Sequence, residues 1–193
     1  LDHNASTPLA PEVIEAMRPF LTEHFGNPSS HHWAGAPAKA AVEHARAQVA
    51  GLLGAQPDEV IFTSGGTEAN NHALQGVFFA NRDRGDHLVT SAVEHPAVIE
   101  PLEFLRTLGA TVTVVPVDHQ GRVDPEDVRR ALTPRTILVS VMHANNEIGT
   151  VQDMPAIGEI VKSRGALFHT DAVQGVRKVP FNVEESHVDL LSM

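Results

Sequence analysis

The sequence predicts an α/β fold, a mostly parallel sheet flanked by helices, and three observations carry that prediction. Short apolar runs alternate with longer amphipathic ones along the chain. The short runs are rich in Val, Ile, Leu, Phe and Thr, as strands buried on both faces are. Brief Gly, Pro and Asn stretches join the two kinds of segment, and regular strand–helix alternation of this sort makes a parallel sheet.

In chain order, "PEVIEAMRPFLTEHF" reads as a helix that Pro19 should kink or divide. Ala38, Val42, Ala45, Val49 and Leu52, spaced by three and four, form the stripe of a second helix. Strands are expected at Val60–Thr63, His87–Ser91, Thr111–Val115, Thr136–Met142, Ala166–His169 and Val188–Met193. Between them, Val98, Leu102 and Leu105 mark one helix and Ile157, Ile160 and Val161 another. "DPEDVRRAL" starts a further helix, with Asp124 as N-cap, Pro125 at the first helical position, and Glu126 and Asp127 complementing the positive helix start.

The chain has 193 residues, 42% hydrophobic and 20% charged, enough for one domain with a substantial core. Its net charge of −10 argues against nucleic acid as the partner, since phosphate binding needs a Lys/Arg surplus. No apolar run is long enough to cross a bilayer. Cysteine is absent, which excludes disulfides and thiolate metal sites in this chain and fits a reducing cytoplasm. The twelve histidines show no His-Glu-x-x-His spacing, so no metal site is expected. The start at Leu1 and the apolar end "VDLLSM" lead us to expect a piece of a longer protein.

In parallel α/β sheets, ligands bind at the carboxyl ends of strands. "EVIFT" runs into "SGGTEANN", where Gly66 and Thr67 open a helix whose free N–H groups suit a phosphate; a plain strand-to-helix turn explains the same residues. "HLVTS" delivers His95, its backbone fixed by Pro96. "TILVSVM" delivers His143, Asn145, Asn146 and Glu147, equally readable as a polar loop. "ALFH" delivers Asp171 and Gln174; pairing with an arginine is the structural alternative for Asp171. Together these tips imply a ligand with a phosphate, a flat face for an imidazole, a phenolic oxygen and a cationic ring nitrogen. Pyridoxal 5′-phosphate has all four.

The blocks "LDHNASTP", "NPSSHHWAG", "IFTSGGTEANN", "SAVEHPAV", "VSVMHANNEIGTVQ" and "FHTDAVQ" closely resemble the class-V aminotransferase family, and within it the cysteine desulfurases that supply sulfur for iron–sulfur clusters and nitrogenase. The resemblance implies an aspartate-aminotransferase-type fold, with residues 1–15 contributing to a small domain and residues 16–193 forming most of the cofactor-binding large domain. It implies that Gly66 and Thr67 hold the phosphate of pyridoxal 5′-phosphate and that His95 stacks on its ring and relays protons. Asp171 would pair with the ring nitrogen, Gln174 would hydrogen-bond the phenolic oxygen, and Asn146 would sit beside that oxygen. It further implies L-cysteine as substrate, a sulfur-acceptor or scaffold protein as partner, and a homodimer.

The three lysines are Lys39, Lys162 and Lys178. The first two fall in amphipathic helices, and Lys178 is expected on or near a strand, away from the other site residues. By the resemblance, the cofactor-bearing lysine follows in a Ser-Gly-His-Lys motif just beyond Met193, and the persulfide-forming cysteine and substrate-binding arginine come later. The chain by itself is therefore expected to be inactive. Another class-V aminotransferase or lyase, and a truncated non-catalytic module pairing with a full-length subunit, are the alternatives.

Overall fold

The computed structural model describes residues 3–193, so Leu1 and Asp2, at the start of the first family-like block, lie outside the described residues. The chain divides into two compact units, with the boundary between Ile61 and Phe62.

The first unit holds α1 (Pro11–Thr22), α2 (Ala36–Leu53) and a 3-10 turn at Pro57–Glu59. The expected break at Pro19 does not occur, and α1 runs through it to Thr22. Pro19 lies in the last turn, so its missing N–H removes one bond near the end rather than splitting the helix. Its own carbonyl accepts from Glu23 and His24 N–H, both at 2.8 Å, which closes that end. Along α2 the stripe Ala38, Val42, Ala45 and Val49 is half-buried, and Leu53 rather than Leu52 is buried at its end. Gly54 ends α2 with φ 77°, the left-handed cap that glycine adopts without a Cβ penalty.

The second unit runs α3 (Gly66–Ala80), β1 (His87–Ser91), α4 (Pro96–Thr107), β2 (Thr111–Val115), α5 (Pro125–Ala131), β3 (Thr136–Ser140), α6 (Met154–Ser163), β4 (Leu167–Asp171) and β5 (Leu190–Ser192). The five strands form one sheet in the order β2-β1-β3-β4-β5, every pair parallel. β1 and β3 are buried at every position, their apolar centres Leu88, Val89, Ile137, Leu138 and Val139 flanked by buried His, Thr and Ser side chains. Leu74 and Phe78 of α3 and Val98, Leu102 and Leu105 of α4 pack with Leu88 and Leu138 on one face of the sheet. Val128 of α5 and Met154, Ile157 and Val161 of α6 pack with Val89, Val139 and Phe168 on the other. Asp124 caps α5 as expected, accepting from Glu126 N–H at 2.9 Å.

Four strand expectations change. Val60–Thr63 forms no strand: it belongs to no sheet among the described residues, and Ile61 and Phe62 stay 67% and 50% exposed. A β-favouring composition needs a neighbouring strand to become a ladder. β3 stops at Ser140, two residues early, and β5 is confined to Leu190–Ser192. β4 instead runs two residues further than expected, so His169 and Thr170 lie inside it and Asp171 is its last residue.

From β1 the chain moves outward to β2, then returns to β3 on the other side of β1 and continues to β4 and β5. The strand order therefore reverses between β1 and β3, the place where a doubly covered parallel sheet opens a crevice at its carboxyl end.

Candidate active site

Three strand ends and one helix start meet around Asp171. This carboxylate is 5% exposed; Oδ2 accepts from Asn70 Nδ2 at 2.8 Å and Oδ1 from Val173 N–H at 3.1 Å. Both donors are neutral. Among the described residues no Arg, Lys or His pairs with it, so the expected structural alternative, an arginine partner, is not what the fold provides. Burying an ionised carboxylate with neutral donors alone is costly.

Asn70 lies on α3 one turn after Thr67, so its bond to Asp171 ties the start of that helix to the end of β4. Glycine makes the approach possible. A Cβ on Gly66 would lie 2.6 Å from Val173 Cγ2, two residues past Asp171. Gly65, with φ 154° and ψ 176°, makes the turn that frees the first N–H groups of α3. Glu68 in that first turn accepts from Ser64 N–H, and this hydrogen bond holds its carboxyl below the usual range.

His95 is the N-cap of α4, its Nδ1 accepting from Ala97 N–H at 3.1 Å. Neutral His95 therefore carries its proton on Nε2, and the ring is oriented by this bond in addition to Pro96. Thr67, Asn71, His95, Pro96, Glu100 and Phe104 face a hollow of about 420 Å³. Thr67 and His95 are thus brought together; Asp171, Asn146 and Gln174 do not line this hollow.

At the end of β3, His143 N–H donates to the Asp171 carbonyl at 2.9 Å, and the His143 ring rests against Phe181. Burial lowers the His143 pKa. Asn145 acts as a brace: its Nδ2 donates to Val93 O at 2.9 Å, and its Oδ1 accepts from Glu147 and Ile148 N–H. Asn146 next to it is half-buried and Glu147 is exposed. Gln174 is half-buried in the turns after β4, where its Oε1 accepts from Lys178 Nζ. This overturns the expectation for Lys178, which lies in a run of turns and reaches a predicted site residue. The two are four positions apart, and the turns coil that stretch so that their side chains meet. Lys39 and Lys162 sit exposed on α2 and α6 as expected.

Sequence reasoning passed over two residues. Asn70 could have been found from its position one helical turn after Thr67. Glu94 carries the same signal as Asp171, an acidic residue at a buried strand's carboxyl end. Its Oε1 accepts from Ser91 Oγ at 2.5 Å and Met142 N–H at 2.8 Å, and burial pushes its pKa up to about 8. Asp171 adds to that rise, which places the two carboxyls in each other's field. Glu94 Oε2 and Asn70 Oδ1 are buried with no hydrogen-bond partner among the described residues.

The family model described as aminotransferase class-V matches residues 1–193. The chain belongs to the class-V aminotransferase family. Cysteine desulfurase IscS of Dictyoglomus turgidum is 54% identical over 193 residues, 100% of this chain and 49% of that protein. Cysteine desulfurase IscS of Methanosarcina thermophila is 49% identical over 193 residues, 100% of this chain and 48% of that protein. Among solved structures, SspA in complex with cysteine gives a TM-score of 0.95 at 38% identity, covering 98% of this chain and 55% of that one. A NifS-like protein gives 0.95 at 40% identity, covering 98% and 53%. This class-V chain thus has the aspartate-aminotransferase-type α/β fold expected of it, and it spans about half the length of the curated relatives it matches.

Proposed function

We propose that this chain supplies the cofactor bed of a cysteine desulfurase dependent on pyridoxal 5′-phosphate, which converts L-cysteine and an enzyme thiol to L-alanine and an enzyme persulfide. The observation that carries the reading is Asp171: a buried carboxylate at a strand end, held by two neutral donors and lacking a cation among the described residues. A protonated pyridine nitrogen is the partner that such a carboxylate favours.

The cofactor supplies an electron sink for the bond-breaking at the amino acid, and the residues of this chain bind and orient it. Asp171 keeps the ring nitrogen protonated, and Asn70 keeps Asp171 aimed. Gly66, Thr67 and the free N–H groups of α3 hold the phosphate. His95, fixed by its cap bond, stacks on the ring and moves a proton through Nε2. Gln174 and Asn146 hydrogen-bond the phenolic oxygen, and Lys178 orients Gln174. The covalent attachment of the cofactor and the persulfide need a lysine and a cysteine that we assign to the part of the relatives not matched by this chain. In that reading residues 1–15 serve the small domain, residues 16–193 the large one, and the protein is a cytoplasmic homodimer that passes sulfur to an acceptor protein.

The test is calorimetric binding of pyridoxine 5′-phosphate, which has the ring, phosphate and phenolic oxygen but no aldehyde. The wild-type chain should bind it saturably, and Asp171→Ala should keep the fold while weakening binding about tenfold or more, the loss expected for a charge-assisted hydrogen bond. Equal affinity in the two proteins sinks the reading. Alanine formation from L-cysteine by the chain alone, assayed with added pyridoxal 5′-phosphate, should be absent.

A further inference from the structure

Glu94 sits between β1 and β3, at the point where the strand order reverses, and none of the roles above uses it. Its Oε1 takes two hydrogen bonds from different elements, Ser91 Oγ at the end of β1 and Met142 N–H just past β3. Its Oε2 is buried and unpartnered. An ionised carboxylate would leave a buried charge without a donor on one oxygen, whereas a neutral acid leaves only an uncharged hydroxyl unpartnered, at a smaller cost. The charge acting on it from a neighbouring element is that of Asp171 at the end of β4, and His95 follows it directly in the chain.

We propose that Glu94 is a positioning residue of this crevice, an uncharged carboxylic acid that clamps the end of β1 to the chain leaving β3. The clamp fixes the backbone from which His95 enters α4, on the same side of the switch point as Asn145, whose Nδ2 braces Val93. Neutrality matters as much as the clamp. A second charged carboxylate beside Asp171 would repel it and would need a donor that the fold does not place there. Glu94 thereby leaves Asp171 as the counter-ion of the proposed pyridinium; the positioning role rests on the cofactor reading, while the clamp and the protonation state do not.

Both are read on the chain without cofactor, so they are independent of the pyridoxine 5′-phosphate experiment. With carboxyl-13C-labelled glutamate, NMR titration should show one glutamate ionising near pH 8, absent from Glu94→Gln. Hydrogen exchange at the Met142 amide should stay slow in Glu94→Gln, which keeps the acceptor oxygen, and rise about tenfold or more in Glu94→Ala. Should the signal missing from Glu94→Gln titrate with the ordinary glutamates, the neutral-acid role is wrong. Should Glu94→Ala protect Met142 as well as wild type does, the clamp is wrong. If Glu94→Ala fails to fold, Glu94→Asp, which shortens the reach to Met142, takes its place with the same two outcomes.

Discussion

Acidification should weaken the fold at His169, and the size of the effect follows from its surroundings. The ring is fully buried within β4, with Nδ1 2.8 Å from Ser140 Oγ and Nε2 3.0 Å from Ser192 Oγ. Burial pushes its pKa down from 6.5 to about 4. Between those two values the unfolded chain takes up a proton that the native state refuses, so stability is lost as pH falls through that window. At 1.36 kcal/mol per unit, the loss is about 2 kcal/mol by pH 5 and about 3 kcal/mol by pH 4. Glu94 acts with the opposite sign, since its folded pKa is raised to about 8: its contribution is full below 4.5 and fades as pH rises through 8. Wild type alone therefore mixes the two. The assay is urea unfolding followed by circular dichroism from pH 8 to pH 4, for wild type and His169→Gln. Gln keeps a donor and an acceptor without a proton to gain. Wild type should be the more stable at pH 8, and its advantage should shrink by about 3 kcal/mol at pH 4. A gap that stays constant across the range refutes the argument, because His87 and His143, also lowered by burial, and Glu94 cancel in the difference.

Other substitutions test the packing and the site separately. A Cβ at Gly158 would lie 2.1 Å from the backbone oxygen of Ser186, so Gly158→Ala should lower stability by about 1–3 kcal/mol in the same urea assay. Asp124→Ala removes the cap of α5 and should cost about 1 kcal/mol, with the loss read from the unfolding midpoint. Thr67→Ala should weaken pyridoxine 5′-phosphate binding while leaving the unfolding midpoint within about 0.5 kcal/mol of wild type, since Thr67 is exposed.

The sheet's buried strands were legible because burial on both faces favours short runs rich in Val, Ile, Leu and Thr, and β1 and β3 have them. The caps were legible too: Asp124 and Pro125 specify a helix start through local hydrogen bonding alone. Pro19 and Val60–Thr63 were misread for a shared reason. A proline's damage depends on where the helix ends, and a strand's existence depends on a neighbour; neither is a property of the segment itself. The site divided in the same way. Thr67, His95 and Asp171 stood out as candidates because strand ends and helix starts are where such chemistry collects. Asn70 and Glu94 were passed over because their meaning lies in what they touch across the fold.

The sequence by itself determined the alternation, the residues at each strand tip and the absence of any cysteine, since these depend on order and composition. Only the tertiary structure decided that Asp171 has no cation beside it among the described residues, that Asn70 holds it, and that Glu94 bridges two strand ends. Those facts concern desolvation and distance between residues far apart in the chain, such as Asn70 and Asp171, 101 positions apart and 2.8 Å in contact.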